Sequence, residues 1–389
     1  MNPHNPIVIV GAGQAGMKAA EELRLKGYQD DLILIGEEPH APYQRPPLSK
    51  AFLKRDISAD RLMLKADDFY ELQKIEPRFG ERVTAIDPQA GKVSLASGGE
   101  IGYSRLLLTT GTRARSLPLE GVGLERVYSL RTLGDVERIA SELTAGMKLV
   151  IIGAGYIGLE VAASMRALGL EVSVIETADR VLKRVVAPDM SAFFETLHRH
   201  NGVEIRTATL PRRICGVDRV SAVELDDGEM MACDAVLIAI GAEPVSELAS
   251  AAGLAVHNGI VVDEATRTAA GNIFAAGDCA VFPSRRYGRT IRLESVQNAI
   301  DQARAAAQAM LGERVVYDPV PWFWSDQYDV KLQIAGLSQN YEETRIEGDP
   351  ASGSFALTYL AGGRAICVDA VNQPRAHMLA RRSLAREGV

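Results

Sequence analysis

Two glycine fingerprints about 140 residues apart constrain this chain more than any other feature. The first is Gly11-Ala12-Gly13-Gln14-Ala15-Gly16, after the apolar run Ile7-Val8-Ile9-Val10; the second is Gly153-Ala154-Gly155-Tyr156-Ile157-Gly158, after Leu149-Val150-Ile151-Ile152. An apolar run ending in such glycines reads as a buried strand that turns into a helix. Glycine permits the tight turn and lets backbone N–H groups at the helix start approach a pyrophosphate. Each copy carries the rest of a β-α-β unit. The first continues through a helical stretch, Ala15 to Lys26, then Gly27 and the strand Leu32-Ile33-Leu34-Ile35, ending at Glu37. The second continues through Leu159 to Leu168, then Gly169 and the strand Val172-Ser173-Val174-Ile175, ending at Glu176. A carboxylate at that strand end can accept hydrogen bonds from a ribose diol. Two such units on one chain predict two dinucleotides that meet, so that electrons pass between them.

The halves repeat one order of elements. Leu106 to Gly111 closes the first lobe, and Ala235 to Gly241 closes the second in the same strand-then-glycine form. That repetition predicts related nucleotide lobes, one inserted in the other. Within the first lobe, Asp60 to Lys74 reads as a polar, helix-like region, followed by short strands around Val83 and Lys92 to Leu95. Pro118 to Arg131 reads as a crossover. Near residue 242 the chain returns to the first lobe through Ile273-Phe274-Ala275-Ala276-Gly277-Asp278, and Ser295 to Leu311 is an alanine-rich helical stretch. From Pro319 on, tryptophan, tyrosine and alternating strand-like residues take over. The expected fold class is α/β, with two Rossmann-like dinucleotide-binding domains, one inserted in the other, and a smaller α+β C-terminal domain. The expected boundaries are 1–112 with 242–319, then 113–241, then 320–389.

The four cysteines, Cys215, Cys233, Cys279 and Cys367, form no C-x-x-C pair. Their spacing argues against a disulfide framework, a zinc site or an iron–sulfur cluster, and suits a reducing cytoplasm. The six histidines show no ligand spacing, and His198 and His200 would face apart on a helix, so no metal site is expected. Met1 to His4 run into the first strand without a basic or apolar leader. The most membrane-like window, Leu149 to Met165, contains Glu160 and three close glycines. No membrane span and a cytoplasmic location are expected. A net charge of −7 disfavours nucleic-acid binding. Arginines do gather locally, at Arg285, Arg286, Arg289 and Arg292 and again at Arg375, Arg381, Arg382 and Arg386. Each group reads either as a solvated face or as a basic patch that steers an acidic protein partner.

Four segments carry a family resemblance: Arg45-Pro46-Pro47-Leu48-Ser49-Lys50, Gly155-Tyr156-Ile157-Gly158-Leu159-Glu160, Leu293-Glu294-Ser295-Val296-Gln297-Asn298-Ala299, and Pro321-Trp322-Phe323-Trp324-Ser325-Asp326-Gln327-Tyr328. Together they resemble the FAD-dependent pyridine-nucleotide oxidoreductases with two dinucleotide-binding domains. Within that family they are similar to ferredoxin reductases of the putidaredoxin reductase and biphenyl dioxygenase reductase type. The likeness covers essentially the whole chain. It implies FAD and NADH as cofactors. At FAD it implies Gly11, Gly13, Ala15, Gly16, Glu37, Arg45, Lys50, Val83, Thr110, Gly111, Arg131, Asp278, Ser295, Val296 and Trp324. At NAD it implies Gly153, Gly155, Tyr156, Ile157, Gly158, Glu160, Glu176, Arg184, Gly241 and Glu294, with Arg180 as a further neighbour. Lys50 and Glu160 are the expected catalytic pair, meeting close to the flavin. A cation there favours the reduced ring, and the carboxylate keeps the lysine charged in a poorly solvated place.

Disulfide reductases of this fold place a C-x-x-x-x-C pair just after the first β-α-β unit, and NADH peroxidases place a single cysteine there. This chain has Tyr43 to Lys50 in that region and no cysteine before Cys215. A thiol relay has no chemical basis there, so electrons leave from the flavin itself. Glu176 bears on the nicotinamide cofactor. It suits ribose hydroxyls but repels a 2′-phosphate, at a cost of roughly 1 kcal/mol in water and roughly 4 kcal/mol at an effective dielectric near 20. NADH is the expected donor. The resemblance implies an acidic 2Fe–2S ferredoxin as partner, serving a haem-thiolate monooxygenase or a ring-hydroxylating dioxygenase, with this chain a monomer or weak dimer. Two alternatives stay open. One is an NADH oxidase-like or rubredoxin reductase-like flavoenzyme; the other is a flavoprotein whose NADH-dependent shape change controls an interaction.

Overall fold

The computed structural model describes residues 5–387; Met1 to His4, expected above to carry no leader, lie outside the described residues. Both fingerprint strands sit in the middle of a five-stranded parallel sheet. Ile7–Val10 pairs with Leu32–Gly36 on one side and Arg105–Leu108 on the other, with Ile75–Phe79 and Ile273–Ala275 at the edges. All four residues of Ile7–Val10 are buried, as a continuous apolar run flanked by parallel neighbours requires. The second sheet repeats the pattern. Lys148–Ile152 lies between Glu171–Ile175 and Ala235–Ile238, with Glu204–Arg206 and Val127–Tyr128 outermost. Because Ile273–Ala275 pairs with Arg105–Leu108, the chain leaves the first sheet, builds the second and returns. One lobe is thus inserted in the other.

The two turns are built alike. Gly11 (φ +113°) and Gly153 (φ +108°) both occupy backbone that side-chain-bearing residues avoid. A Cβ on Gly16 would lie 2.0 Å from the Gly11 carbonyl oxygen, and one on Gly158 would lie 2.1 Å from that of Gly153. The helices Gln14–Leu25 and Tyr156–Ala167 therefore start directly against their strands. Val296–Met310 lays alanines 299, 303 and 306 in the same core as Ala15, Ala19 and Leu23 of the first helix, so the returning segment closes over the first turn. The C-terminal unit is a five-stranded antiparallel sheet running from Trp322–Gln327 to Arg364–Val371, with the helix Pro374–Glu387 packed on it.

One element departs from expectation. Asp60 to Lys74 is not a continuous helix: it holds a single 3-10 turn, Ala59–Leu62, and one helical turn, Phe69–Leu72. The backbone between them is used elsewhere. Leu64 N–H donates to Pro42 O and Gln44 N–H to Leu62 O, and Tyr43 and Met63 form an antiparallel bridge. This clamp holds the segment leading to Arg45 and Lys50.

A buried cluster joins the second lobe to the C-terminal sheet. The Ala187 N–H donates to the Tyr359 hydroxyl at 2.9 Å, and that hydroxyl donates to Asp369, which has no exposed surface. Burial pushes the Asp369 carboxyl up to about 7, against the lowering effect of the Tyr359 and Cys367 hydrogen bonds. Burial holds His198, on the helix Pro188–His200, down to about 4. The signs oppose. Folded protein keeps a proton on Asp369 that unfolded chain releases, so this contribution to stability is full below pH 3.8 and is lost as pH rises to about 7. Folded protein refuses a proton on His198 that unfolded chain accepts, so that contribution is full above pH 6.5 and is lost as pH falls to about 4. Asp369→Asn removes the first effect alone. Its thermal unfolding, followed by near-ultraviolet circular dichroism, is expected to lose stability more steeply than the parent between pH 6.5 and 4.5, by up to about 1.4 kcal/mol per pH unit. Parallel curves would contradict the assignment.

Candidate active site

Both fingerprint turns open into one cleft of about 1560 Å³, larger than the usual range of roughly 300–1,000 Å³ for a single small ligand. No Cβ built on Gly13 or Gly155 would meet an atom within 4 Å, so each turn presents its backbone to open space where a phosphate can sit. Of the residues expected at the cofactors, all line this cleft except Gly16, Gly158 and Arg180. The two glycines sit behind the turns, where they permit the strand–helix contact described above.

The floor of the cleft is formed where three parts of the chain meet. Lys50 follows the 3-10 turn Pro46–Ser49 with φ −129° and ψ −112°, outside the two broad allowed regions. Its Nζ lies 2.6 Å from Glu160 Oε2, and the side chains are 18% and 5% exposed. Glu160 comes from the second turn of the helix Tyr156–Ala167. Ser49 Oγ donates to the same oxygen at 2.6 Å, and Ser325 Oγ, from the strand Trp322–Gln327, donates to Glu160 Oε1 at 2.6 Å. Ser164, one helical turn on, donates to the Ser49 carbonyl at 2.7 Å. Sequence reasoning found the ion pair but missed these serines, although Ser49 and Ser325 stand inside quoted motifs.

A second charged group lies between the first turn and the start of Val296–Met310. Arg131 Nη2 is 3.3 Å from Asp278 Oδ2, and Arg292 Nη1 donates to the Asp278 carbonyl at 3.0 Å. Burial lowers the Arg131 guanidinium, against the pull of Asp278; burial also raises the Asp278 carboxyl. Arg131 Nε and Arg292 Nε are buried without a partner, and both arginines line the cleft, where their charge suits an anionic ligand. Arg45 is gripped by Glu38 at 2.5 Å and donates to the Arg131 carbonyl at 2.7 Å. Glu38 and Tyr43, which hold Arg45, escaped the sequence reading; an acidic residue directly after Glu37 was the available signal. Ser295 caps Val296–Met310 by accepting from Asn298 N at 3.1 Å, leaving the earlier N–H groups free to face the cleft.

On the second turn, Glu176 accepts from Ala154 N at 2.8 Å and Ala178 N at 2.9 Å, so its carboxylate is fixed at the strand end. Arg184 and Gly241 share this wall of the cleft, and Glu294 pairs with Arg292 at 2.6 Å. Arg180 does not belong with them. Its guanidinium turns inward to Val186 O, Ser191 Oγ and Lys183 O, where it braces the loop before Pro188–His200. None of the four cysteines lines the cleft; Cys279 donates weakly to Leu108 O and Ala276 O behind the sheet.

A family model described as pyridine nucleotide-disulphide oxidoreductase matches residues 5–303, and one described as reductase C-terminal matches residues 322–389. The chain belongs to the pyridine nucleotide-disulphide oxidoreductase family. Among its relatives is rhodocoxin reductase of Rhodococcus erythropolis, 44% identical over 382 residues that cover 98% of this chain and 90% of the relative. The ferredoxin reductase for the CYP199A2 system from Rhodopseudomonas palustris matches with a TM-score of 0.96 at 42% identity, over 99% of this chain and 96% of that one. The covalent putidaredoxin reductase–putidaredoxin complex matches with a TM-score of 0.95 at 42% identity, over 98% of this chain and 93% of that one.

Asp278→Ala would leave Arg131 buried beside no carboxylate. We expect FAD, titrated by quenching of its fluorescence, to bind at least tenfold more weakly to the variant. A Kd within twofold of the parent would show that Arg131 and Asp278 do not serve the cofactor.

Proposed function

We propose that this chain is an NADH-dependent ferredoxin reductase that passes electrons from NADH through FAD to a small 2Fe–2S ferredoxin. One observation carries the reading: two dinucleotide turns open into a single cleft that no cysteine lines, with a buried Lys–Glu pair on its floor. When bound, FAD supplies two-electron acceptance from the nicotinamide and one-electron release to an iron–sulfur partner.

The residues at hand fit that pair of cofactors. The domain at the first turn, residues 1–112 with 242–319, would hold FAD. There Gly13 and Ala15 would donate backbone N–H groups to the pyrophosphate, Gly11, whose N–H donates to Ile35 O, would make the tight turn, and exposed Glu37 would accept from the adenosine ribose. Arg45, Val83, Thr110, Gly111, Arg131 and Asp278 would line the cofactor's length. Lys50 would set a positive charge beside the ring, while the N–H groups of Val296 and its successors would face the ring's carbonyl edge and Trp324 would close one side. Residues 113–241 would hold NADH along Gly153, Gly155, Tyr156 and Ile157, with Glu176 at the ribose and Arg184, Gly241 and Glu294 around it.

The partner reading rests on the helix Pro374–Glu387 in the C-terminal unit, residues 320–389. Arg375, Arg381, Arg382 and Arg386 are exposed and form no ion pair among the described residues, and exposed Met378 and Leu379 lie among them. A basic rim around an apolar centre suits an acidic protein. Arg381 lies 4.6 Å over the Trp322 ring, and Trp322 lines the cleft, so this face reaches the site. The other arginine group is occupied: Arg285 pairs with Glu264, Arg286 donates to Leu384 O, Arg289 to Gln339 and Arg292 to Glu294. No helix among the described residues is long and apolar enough to cross a membrane. Four free cysteines suit the cytoplasm, and the protein would act as a monomer or weak dimer.

NADH turnover with oxygen alone, compared with turnover after adding a 2Fe–2S ferredoxin, tests this function. A large stimulation by ferredoxin is expected, and fast oxygen-only turnover without stimulation would favour the oxidase reading. Lys50→Met is expected to slow anaerobic reduction of the flavin by NADH at least tenfold in stopped flow; an unchanged rate removes its role. The kcat/KM for NADPH is expected to lie at least tenfold below that for NADH, and Glu176→Ala to narrow the gap. Equal values in the parent would refute the role of Glu176.

A further inference from the structure

Behind Glu160 runs a buried polar chain that the steps above do not use. Ser325 and Gln327, each 1% exposed, point from the same face of Trp322–Gln327, two residues apart. Gln327 Nε2 lies 3.1 Å from Ser325 Oγ, and Gln327 Oε1 lies 2.8 Å from Nε2 of fully buried His198. His198 Nδ1 lies 3.3 Å from the hydroxyl of Tyr328.

Chemistry fixes the direction of every bond in this chain. An ionised Glu160 beside Lys50 can only accept, so Ser325 must spend its hydroxyl proton on it. Ser325 then has only lone pairs left for Gln327, which must turn its NH2 group toward the serine. That leaves the Gln327 carbonyl facing His198, so the histidine proton sits on Nε2. Nδ1 is then bare and accepts from Tyr328. The amide in the middle keeps both its protons, so the chain conducts none. It can orient.

The turn residue points the same way. Tyr328 takes φ +56° at the first of the two residues between paired Gln327 and Val330. Glycine or asparagine normally fills such a position, and a tyrosine there carries backbone strain. What holds it is His198, whose ring lies 5.1 Å from the Tyr328 ring at a T-shaped angle.

We propose that Ser325, Gln327 and His198 are positioning residues for the Lys50–Glu160 pair, a one-way chain of donors that holds the Glu160 carboxylate turned toward Lys50. The proposal rests on the reading that this pair serves the flavin. Three parts of the fold bear on Glu160: the Pro46–Ser49 segment of the first lobe and the hairpin strand of the C-terminal sheet bond it directly, and the helix Pro188–His200 of the second lobe reaches it through Gln327 and Ser325. The carboxylate can be aimed only when all three are docked.

Two measurements on the FAD-loaded protein test this. Nitrogen-15 histidine NMR is expected to show His198, identified by its loss in His198→Gln, as a neutral Nε2–H tautomer from pH 8 to 5.5. An Nδ1–H tautomer overturns the proposal. Ser325→Ala is expected to slow anaerobic flavin reduction by NADH about tenfold with unchanged affinity for NADH, yet to add no further slowing in the Lys50→Met background. Equal slowing in both backgrounds would mark a merely structural role and overturn the proposal while the reading of the pair stands. Lys50→Met with the parental rate would defeat that reading, and the proposal with it.

Discussion

The contact on which the rest of the molecule depends is the ion pair between Lys50 and Glu160. The lysine hangs from the first lobe and the glutamate from the second turn of the helix Tyr156–Ala167 in the second lobe, and both are largely withdrawn from water. Placing two charges in such a spot costs several kcal/mol per ion unless attraction and added hydrogen bonds offset it. Here the offset is complete at the carboxylate: Lys50 and Ser49 share one oxygen and Ser325 takes the other. A well-packed apolar pair would stabilise the fold at least as well. A charge pair at the junction of two nucleotide turns is what the proposed role beside a cofactor requires.

That junction also explains the order of the chain. A cofactor fixed in one Rossmann lobe meets a second only if the turns face each other, and inserting one lobe in the other fixes their separation through short crossovers. The C-terminal sheet then completes the site. Its first strand supplies Trp322 and Trp324 to the cleft and Ser325 to the ion pair, while its helix carries four exposed arginines outward. The strand Trp322–Gln327 thus links the floor of the cleft, through Ser325, to the arginine-bearing helix, through Trp322 and Arg381.

Much of this was legible before any coordinates. Both glycine turns, the strands before them and the carboxylates after them follow from local rules, because a tight turn against a parallel strand leaves few residue choices. The returning strand Ile273–Ala275 was readable from its apolar run into Gly277-Asp278. What stayed hidden was non-local. Asp60 to Lys74 looks helical by composition, but bridging to Pro42 and Tyr43 overrides that preference. Arg180 looks like an anion ligand until its loop folds it onto Val186 O. Gln327 and His198 lie 129 positions apart in the chain, and no periodicity predicts their contact. A polar i, i+2 pair in an aromatic strand was the sole clue.

The family carries disulphide in its description, yet no cysteine lines the cleft, so the flavin, and no thiol, is proposed to pass electrons from NADH to the partner. Anaerobic titration of FAD-loaded protein with NADH tests this most directly. One equivalent of NADH per flavin is predicted to bleach the 450 nm band fully. A requirement for two equivalents would expose a second two-electron centre, and a band that NADH leaves intact would end the account.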